Sequence, residues 1–410
     1  MKKFFVYLMI ATMLAFVACS PKEQPKPQPQ EQTDPDKSKD PSQEPSQEPS
    51  EEPSEEPSEE PSVEPTITNL WVKPNYDAWF GANGVPDVVA SDVDEFVADW
   101  YRNVAMDDNY IYVSASSKTA SGVLAIDIKD PSKVKALDVT GVSDGTFFTN
   151  CVRTIPNGDK TIILASNLSF EGQWAGPGDT QTLKLYAWQS LDGAPTQILN
   201  FPLDEAVRLG DKFQVYGDWN DGLLFFKNYT GGAKEDMVYI FSIKNGVVNT
   251  TPVKKRLNGI PEGWAVSAVS AYYPYTADTG IMAGWNAIIP YEADGDNFKC
   301  QYWTGDFQGT DYTMYNHGVN FFTLGGQEYI FWVHLLDKNT ELRLYTKNGD
   351  FVETCGDSAN LTTALLLGEE TGEDVGKANG AGDACVRVIN GVAYAAVSVP
   401  GHGLGVFEIK

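Results

Sequence analysis

Histidine is nearly absent: His317, His334 and His402 are the only three in 410 residues. A chain so poor in His has few groups that exchange protons near neutral pH. Five cysteines occur and no two form a Cys-x-x-Cys pair, which excludes zinc ribbons and thioredoxin-like redox motifs. Lys and Arg are outnumbered, 30 against 56 Asp and Glu, for a net charge of −26. That balance excludes a nucleic-acid partner, because a polyanion is held by cations that replace its counterions. No Gly-x-Ser-x-Gly, His-Glu-x-x-His or phosphate-binding glycine loop is present, so the sites that those motifs mark are not expected. Beyond Val17 there is no apolar run long enough for a transmembrane helix, and no sustained 3.6-residue period.

What is present begins at the N-terminus. Lys2 and Lys3 precede an apolar run from Phe4 to Val17, followed by Ala18, Cys19 and Ser20. A charged start, a short apolar core and small residues at the cut predict a secretory signal peptide over residues 1–18. The cut before Cys19 resembles the lipobox of bacterial lipoproteins, with Phe16 where Leu is usual. That resemblance implies lipidation of Cys19, and Ser20 after it resembles lipoproteins sorted to the outer membrane. Residues 19–66 are almost free of hydrophobic side chains, and from Pro41 to Pro65 they repeat Pro-Ser-(Gln/Glu)-Glu. Such a segment cannot bury enough apolar surface to offset its ordering entropy, so a disordered tether is expected. In a polyproline-like state at about 3.1 Å per residue it would reach on the order of 140 Å. A domain held out at the cell surface fits this layout, and a periplasmic spacer is the alternative.

Residues 67–410 carry 42 acids and 24 bases, a balance of −18. Short β-rich runs recur here with Gly, Asn and Asp punctuation. Asn109–Val113 is followed by Val123–Ile128, Gly222–Phe226 by Met237–Ile243, Tyr329–Val333 by Leu342–Tyr345, and Gly391–Ala396 by Leu404–Ile409. Units of about 45 to 60 residues with four strands each read as propeller blades. The predicted fold is all-β: a single propeller domain of six four-stranded blades beginning near Arg102, Phe148, Lys212, Trp264, Thr313 and Ala384, with seven blades as the alternative count. The last unit lacks a fourth strand, and Ile67–Val72 is an orphan strand that can supply it and close the ring. Blade four is the least regular, because Gly280–Tyr291 patterns poorly.

The longest predicted loops are 74–99, 168–181 and 356–382, and all belong to the two connection classes that open on one face of a propeller. Long loops in compact domains are usually functional or disordered, and one face is elaborated by them, so the binding site is placed there. In or beside the loops of this face lie Trp79, Phe80, Trp174, Tyr229, Trp264 and Tyr312, interleaved with Asp77, Asp179, Asp236, Glu262 and Asp311. Flat aromatic faces flanked by carboxylates suit a hydroxyl-rich ligand, so these six aromatics are the candidate glycan-binding residues. Trp100, Trp188, Trp219 and Trp332 sit within or against strands and are assigned to the core.

His317, His334 and His402 are the candidate catalytic residues for a lyase or glycosidase acting from the same face. Their scarcity favours a binder over an enzyme. Asp218–Gly222 and Asp294–Asn297 have fragments of calcium loops without the downstream Glu, so tight turns are expected in preference to structural calcium, and no cofactor is expected. Cys355 and Cys385 are a candidate disulfide.

The lipobox, the stalk, the blades and phrases such as Leu209–Phe213 and Val215–Trp219 together resemble uncharacterised propeller surface lipoproteins of Bacteroidota. Such proteins are often associated with glycan-uptake loci. The resemblance implies an outer-membrane lipoprotein that binds glycans or glycoconjugates, and as the alternative a protein-interaction scaffold of a surface transport complex.

Overall fold

The computed structural model describes residues 65–74, 103–114, 122–142, 149–169, 182–203, 208–228, 237–259, 271–283, 288–301, 316–336, 339–349, 351–354, 383–399 and 403–410. All of them fall in one unit, Ser62–Lys410. Every regular element among them is a β-strand.

Blade one is β2 (Val104–Met106), β3 (Tyr110–Ser114), β4 (Val123–Asp127) and β5 (Val134–Ala136), each antiparallel to the next. Blade two is β6 (Cys151–Asn157), β7 (Lys160–Ser166), β8 (Thr182–Trp188) and β9 (Thr196–Pro202). Blade three is β10 (Phe213–Gly217), β11 (Asp221–Lys227), β12 (Met237–Lys244) and β14 (Val253–Asn258), with the two-residue β13 (Val247–Val248) beside β12. Blade four is β15 (Ala271–Pro274), β16 (Thr279–Ala283), β17 (Ile288–Asp294) and β18 (Asn297–Cys300), and blade five is β19 (Asn316–Leu324), β20 (Gln327–Leu336), β21 (Asn339–Thr346) and β22 (Phe351–Thr354). Blade six is β23 (Asp383–Ile389), β24 (Val392–Val399) and β25 (Gly403–Ile409), completed by β1 (Ile67–Pro74).

The orphan strand therefore closes the ring. Strand β1 pairs antiparallel with β25 from Ile67↔Ile409 to Pro74↔Gly403, with a bulge between Asn69 and Trp71. The indole of Trp71 donates to Ile128 O at 2.6 Å and so ties this strand to blade one. By hydrogen bonding there are five sheets, because the outer strands of blades three and four pair in parallel, Arg256–Asn258 against Asn297–Lys299. By packing there are six units. Six apolar clusters fill the gaps, each between two consecutive blades, with one of them joining blade six to blade one. The inner strands β2, β6, β10, β15, β19 and β23 touch in that order and return to β2. Six blades, not seven, make the ring.

Stacked blades explain the continuous apolar runs. A strand alternates its side chains between two faces, and here both faces are buried. Leu224 and Phe226 face blade two while Phe225 faces blade four. Likewise Phe331 and Val333 face blade six while Ile330 and Trp332 face blade four. Trp188 and Trp332 are fully buried and Trp219 is nearly so, as expected of core residues; Trp100 lies outside the described residues.

Blade four starts at Ala271, later than the predicted start near Trp264, and β19 starts at Asn316, not Thr313. The irregular stretch of blade four has a physical reason. A Cβ on Gly280 would lie 2.1 Å from Tyr291 Oη and 2.3 Å from Tyr273 O, so only glycine fits under that ring. Tyr291 then stacks on Tyr272 with centroids 4.6 Å apart.

Candidate functional site at the upper end of the ring

The end at which the inner strands begin is called upper here. The loops between blades, and those joining the second and third strands within blades, open there. At four of the six inner strands, β2, β6, β10 and β23, the residues at the start are buried and polar, against the apolar rule of the blade interiors: Asn103, Asn150, Asp211, Lys212 and Asp383.

Unpaired polar groups in such a place would be costly, so they are laced together. Asn103 Nδ2 donates to Asn150 O at 2.9 Å and to Asp211 O at 3.3 Å. Asn150 Nδ2 donates to Gly210 O at 2.7 Å and to Asp211 O at 3.2 Å. Asn103 and Asn150, each one residue before its inner strand, thus bind across a blade boundary, and the carbonyl of Asp211, two residues before β10, accepts from both. Cys151 Sγ donates to Asn103 Oδ1 and accepts from Phe213 N, both at 3.4 Å.

A charged group built on Lys212 and Asp383 of this layer joins opposite sides of the ring. Arg153 of β6 donates from Nη1 to Asp383 Oδ2 of β23 at 2.6 Å. Lys212, just before β10, reaches Asp383 Oδ1 at 3.5 Å from the opposite side of the ring. Arg153 also donates from Nε to Phe213 O at 2.7 Å and from Nη1 to Val104 O at 3.2 Å and Val152 O at 2.8 Å. Asp383 Oδ2 accepts from Val104 N at 3.3 Å. The group binds blades two, three, one and six to one carboxylate. Burial alone would lower the pKa of Arg153, but Asp383 beside it raises it above its ordinary value. Burial lowers the pKa of Lys212, with Asp383 opposing and Arg153 adding to the shift. Burial pushes the thiols of Cys151 and Cys385 up to about 11, so neither is a ready nucleophile. Asp211, beside Lys212, is engaged by Arg208, whose Nε donates to Oδ2 at 2.6 Å.

The feet of two upper loops are fixed by asparagines at matching positions. Asn167, just after β7, accepts from Lys184 N at 2.8 Å and donates to Thr182 O at 2.9 Å. Asn228, just after β11, accepts from Met237 N at 2.7 Å. Each therefore clamps the second strand of its blade to the third where the loop departs. Ser169 and Leu209 form a further backbone bridge between two upper loops.

Trp79, Phe80, Trp174, Tyr229, Trp264 and Tyr312 lie outside the described residues, as do the five interleaved acids, His402 and Cys19. His317 and His334 are described in their backbone. Strand β20 continues past His334 to Leu336, so this residue lies within the strand, not just after it. His334 pairs in register with Asn316, and the ladder bulges at His317 before Gly318 resumes against Val333. Both histidines thus sit at the upper end of blade five. A Cβ on Gly318 would lie 2.4 Å from Ala384 N, so β19 presses against β23 one residue from Asp383. Sequence reasoning did not find Arg153, Lys212 or Asp383. The available signal was an arginine inside the apolar run Cys151–Ile155.

The lower end has a different character. A cleft of about 280 Å³ between blades one and two is lined there by Asp107, Tyr110, Tyr112, Lys160, Gln189 and Leu191. Its carboxylate is engaged: Asp107 accepts from Tyr112 Oη at 2.5 Å and from Asn109 N and Tyr110 N at 2.8 Å. Burial and Asp107 together raise the Tyr112 pKa. The calcium-like loops are turns. Asp218 Oδ1 accepts from Asn220 N at 2.7 Å and Asp221 N at 2.9 Å, and Gly295 turns the β17–β18 hairpin with φ of 56°. Among the described residues no group of three or more His, Cys, Asp or Glu is placed to hold a metal. Cys385 carries a free thiol, and Cys355 lies outside the described residues.

No protein-family model matches the chain, and neither does any curated protein. Among solved structures, the chain is similar to a provisionally assigned glycoside hydrolase from Parabacteroides distasonis, at 9% identity over 63% of this chain and 86% of that one, with a TM-score of 0.36. It is similar in the same degree to a glycosyl hydrolase from Bacteroides ovatus, at 9% identity over 64% of this chain and 85% of that one, with a TM-score of 0.35. The propeller is defined here by its own strand order and packing.

Proposed function

We propose that this protein is a lipid-anchored outer-membrane propeller that binds glycans at the upper end of its ring. The observation that carries the reading is the build of that end. Its inner strands begin in a buried hydrogen-bonding layer, and Asn167 and Asn228 hold the feet of the loops to which Trp174 and Tyr229 belong. A rigid polar floor beneath aromatic-bearing loops suits a ligand with hydroxyls to bond and C–H faces to cover. Binding without turnover is favoured, since the buried thiols are held neutral and the buried carboxylates are engaged by cations or backbone. Cys19 would supply the anchor and residues 20–66 the reach.

The position of His317 and His334 at the same upper end favours a second reading, in which one of them moves a proton in a lyase or glycosidase reaction. One experiment separates the two. A glycan array probed with the protein, each retained glycan weighed by mass spectrometry before and after incubation, gives binding with unchanged mass in the first reading and cleavage in the second. Trp79→Ala and Trp174→Ala should each weaken binding at least about tenfold with the circular dichroism spectrum unchanged. Retained affinity in both variants would remove the aromatic loops from the site. An array with no retained glycan would shift the weight to a protein partner in a transport complex.

A further inference from the structure

The cleft at the lower end, between blades one and two, has a fixed frame and a spare charge. Its volume of about 280 Å³ has room for one small ring. The floor is apolar, with Tyr112 and Ile163 each 2% exposed. Tyr110 lines it half-buried on the blade-one side, its ring 6.4 Å from that of Tyr112, and Leu191 lines it half-buried on the blade-two side. Neither wall is free to collapse. Asp107 spends its carboxylate on the turn that carries both tyrosines, accepting from Asn109 N, Tyr110 N and Tyr112 Oη. The two blades are tied by Trp188 Nε1 donating to Asp138 O at 2.7 Å and Thr154 Oγ1 donating to Met106 O at 2.8 Å.

Charge is the second observation. In this acidic chain Lys133, Lys135, Lys244, Lys299 and Lys347 each meet a carboxylate. Among the described residues the ammonium groups of Lys129 and Lys160 have no such partner, and Lys160 lines the cleft. The acids close by in the chain are engaged elsewhere: Asp108 by Arg387 at 2.7 Å and Asp192 by Lys135. Asp159 precedes Lys160 but is not part of the lining. Gln189 and Ser190 are exposed and Thr161 is half-buried, and all three side chains both donate and accept. An aromatic wall, paired donors and acceptors and one spare cation suit a ring with C–H faces, hydroxyls and a negative charge. We infer that this cleft is a second ligand site, one that holds a single sugar unit bearing an acidic group, a carboxylate or a sulfate. The ring packs on Tyr110 and Leu191, its hydroxyls meet Gln189, Ser190 and Thr161, and its acid meets Lys160. The site stands on its own lining and does not depend on the reading of the upper end.

The test follows acylation of lysines in the intact protein by an N-hydroxysuccinimide ester, read peptide by peptide by mass spectrometry. The probes are glucuronate, glucose 6-sulfate, glucose and inorganic sulfate. A saturating acidic sugar should slow labelling of Lys160 at least about fivefold and leave the exposed Lys129 unchanged. Glucose should need at least about tenfold higher concentration for the same protection. The acid that protects at the lower concentration is the one the site takes. By titration calorimetry, Lys160→Gln should lose the preference for acidic sugar over glucose, and Tyr110→Ala should weaken the acidic sugar at least about fivefold. No slowing by either acidic sugar, or equal slowing by glucose, overturns the inference. Equal slowing by inorganic sulfate also overturns it, since the cleft would then hold an adventitious ion only. Protection should persist in Trp174→Ala, and its loss there would place the effect at the upper end and overturn the second site. An array with no retained glycan would end the upper-end reading and leave this one to Lys160.

Discussion

The turn carboxylates at the lower end of the ring and Asp383 at the upper end work in opposite ways. At the lower end, Asp107, Asp127 and Asp218 accept from backbone N–H groups two or three residues further on. At the upper end, Asp383 accepts from Arg153 across 230 residues of chain and from Lys212 across 171. Local acceptors shape turns and can be replaced cheaply, since water can take over the bond. Distant ones hold blades together in a place that water reaches poorly. The ring is formed at one end by many small independent decisions and locked at the other by one shared carboxylate.

The largest effect that would sharpen this contrast comes from Asp383→Ala. It removes the buried carboxylate that pairs with Arg153 and that Lys212 also reaches, and urea unfolding should show a loss of about 3–5 kcal/mol. A loss below about 1 kcal/mol would mean that the axial group is well hydrated and the contrast between ends is false. Next is Gly318→Ala, whose methyl would meet Ala384 N at 2.4 Å. Forcing β19 from β23 should cost about 1–3 kcal/mol. At the lower end, Asp218→Ala removes two turn hydrogen bonds at the surface, and a loss of only about 0.5–1.5 kcal/mol is expected.

The fourth effect is read as a slope. Burial lowers the pKa of Lys212 in the folded state, so over the window from that lowered value up to the ordinary 10.5 the unfolded chain holds more protons than the folded one. Stability should rise with pH across that window, relative to Lys212→Met measured by the same urea titrations. A falling or flat difference would show that Asp383 outweighs burial. The smallest effect is expected from Arg387→Ala. Its pair with Asp108 is 2.7 Å long but exposed, and its removal should cost no more than about 1 kcal/mol.

Legibility in the sequence follows the same division between local and distant. The two middle strands of blade three are legible within one residue of their observed limits, because Gly222–Phe226 and Met237–Ile243 are continuous apolar runs bounded by Asp, Asn and Gly. The closing role of Ile67–Val72 was legible from a count: one blade lacked a strand, and one strand lacked a blade. Blade four was harder to read, since Gly280 occupies a strand position where an apolar residue is expected, and its reason is the ring of Tyr291 eleven residues on. The axial group was invisible. Nothing near Arg153 in the chain marks Asp383 as its partner, and a lone charge in a strand gives no hint of which blade answers it. The aromatic loop candidates were named by composition and by loop class, and those features place a site on a face without fixing its geometry.

The closing strand also sets how the molecule bears a load. Thr66 exchanges backbone hydrogen bonds with Lys410 at the lower end, at 2.7 and 3.1 Å, and β1 runs from there to Pro74 at the upper end along seven paired residues of β25. A force that pulls on residue 66 while the upper end is held acts along the axis of β1. The ladder is then loaded in shear, and its bonds resist together, whereas a pull at right angles would peel them one at a time. The same strand that completes the last blade is placed to carry tension along its length from one end of the ring to the other.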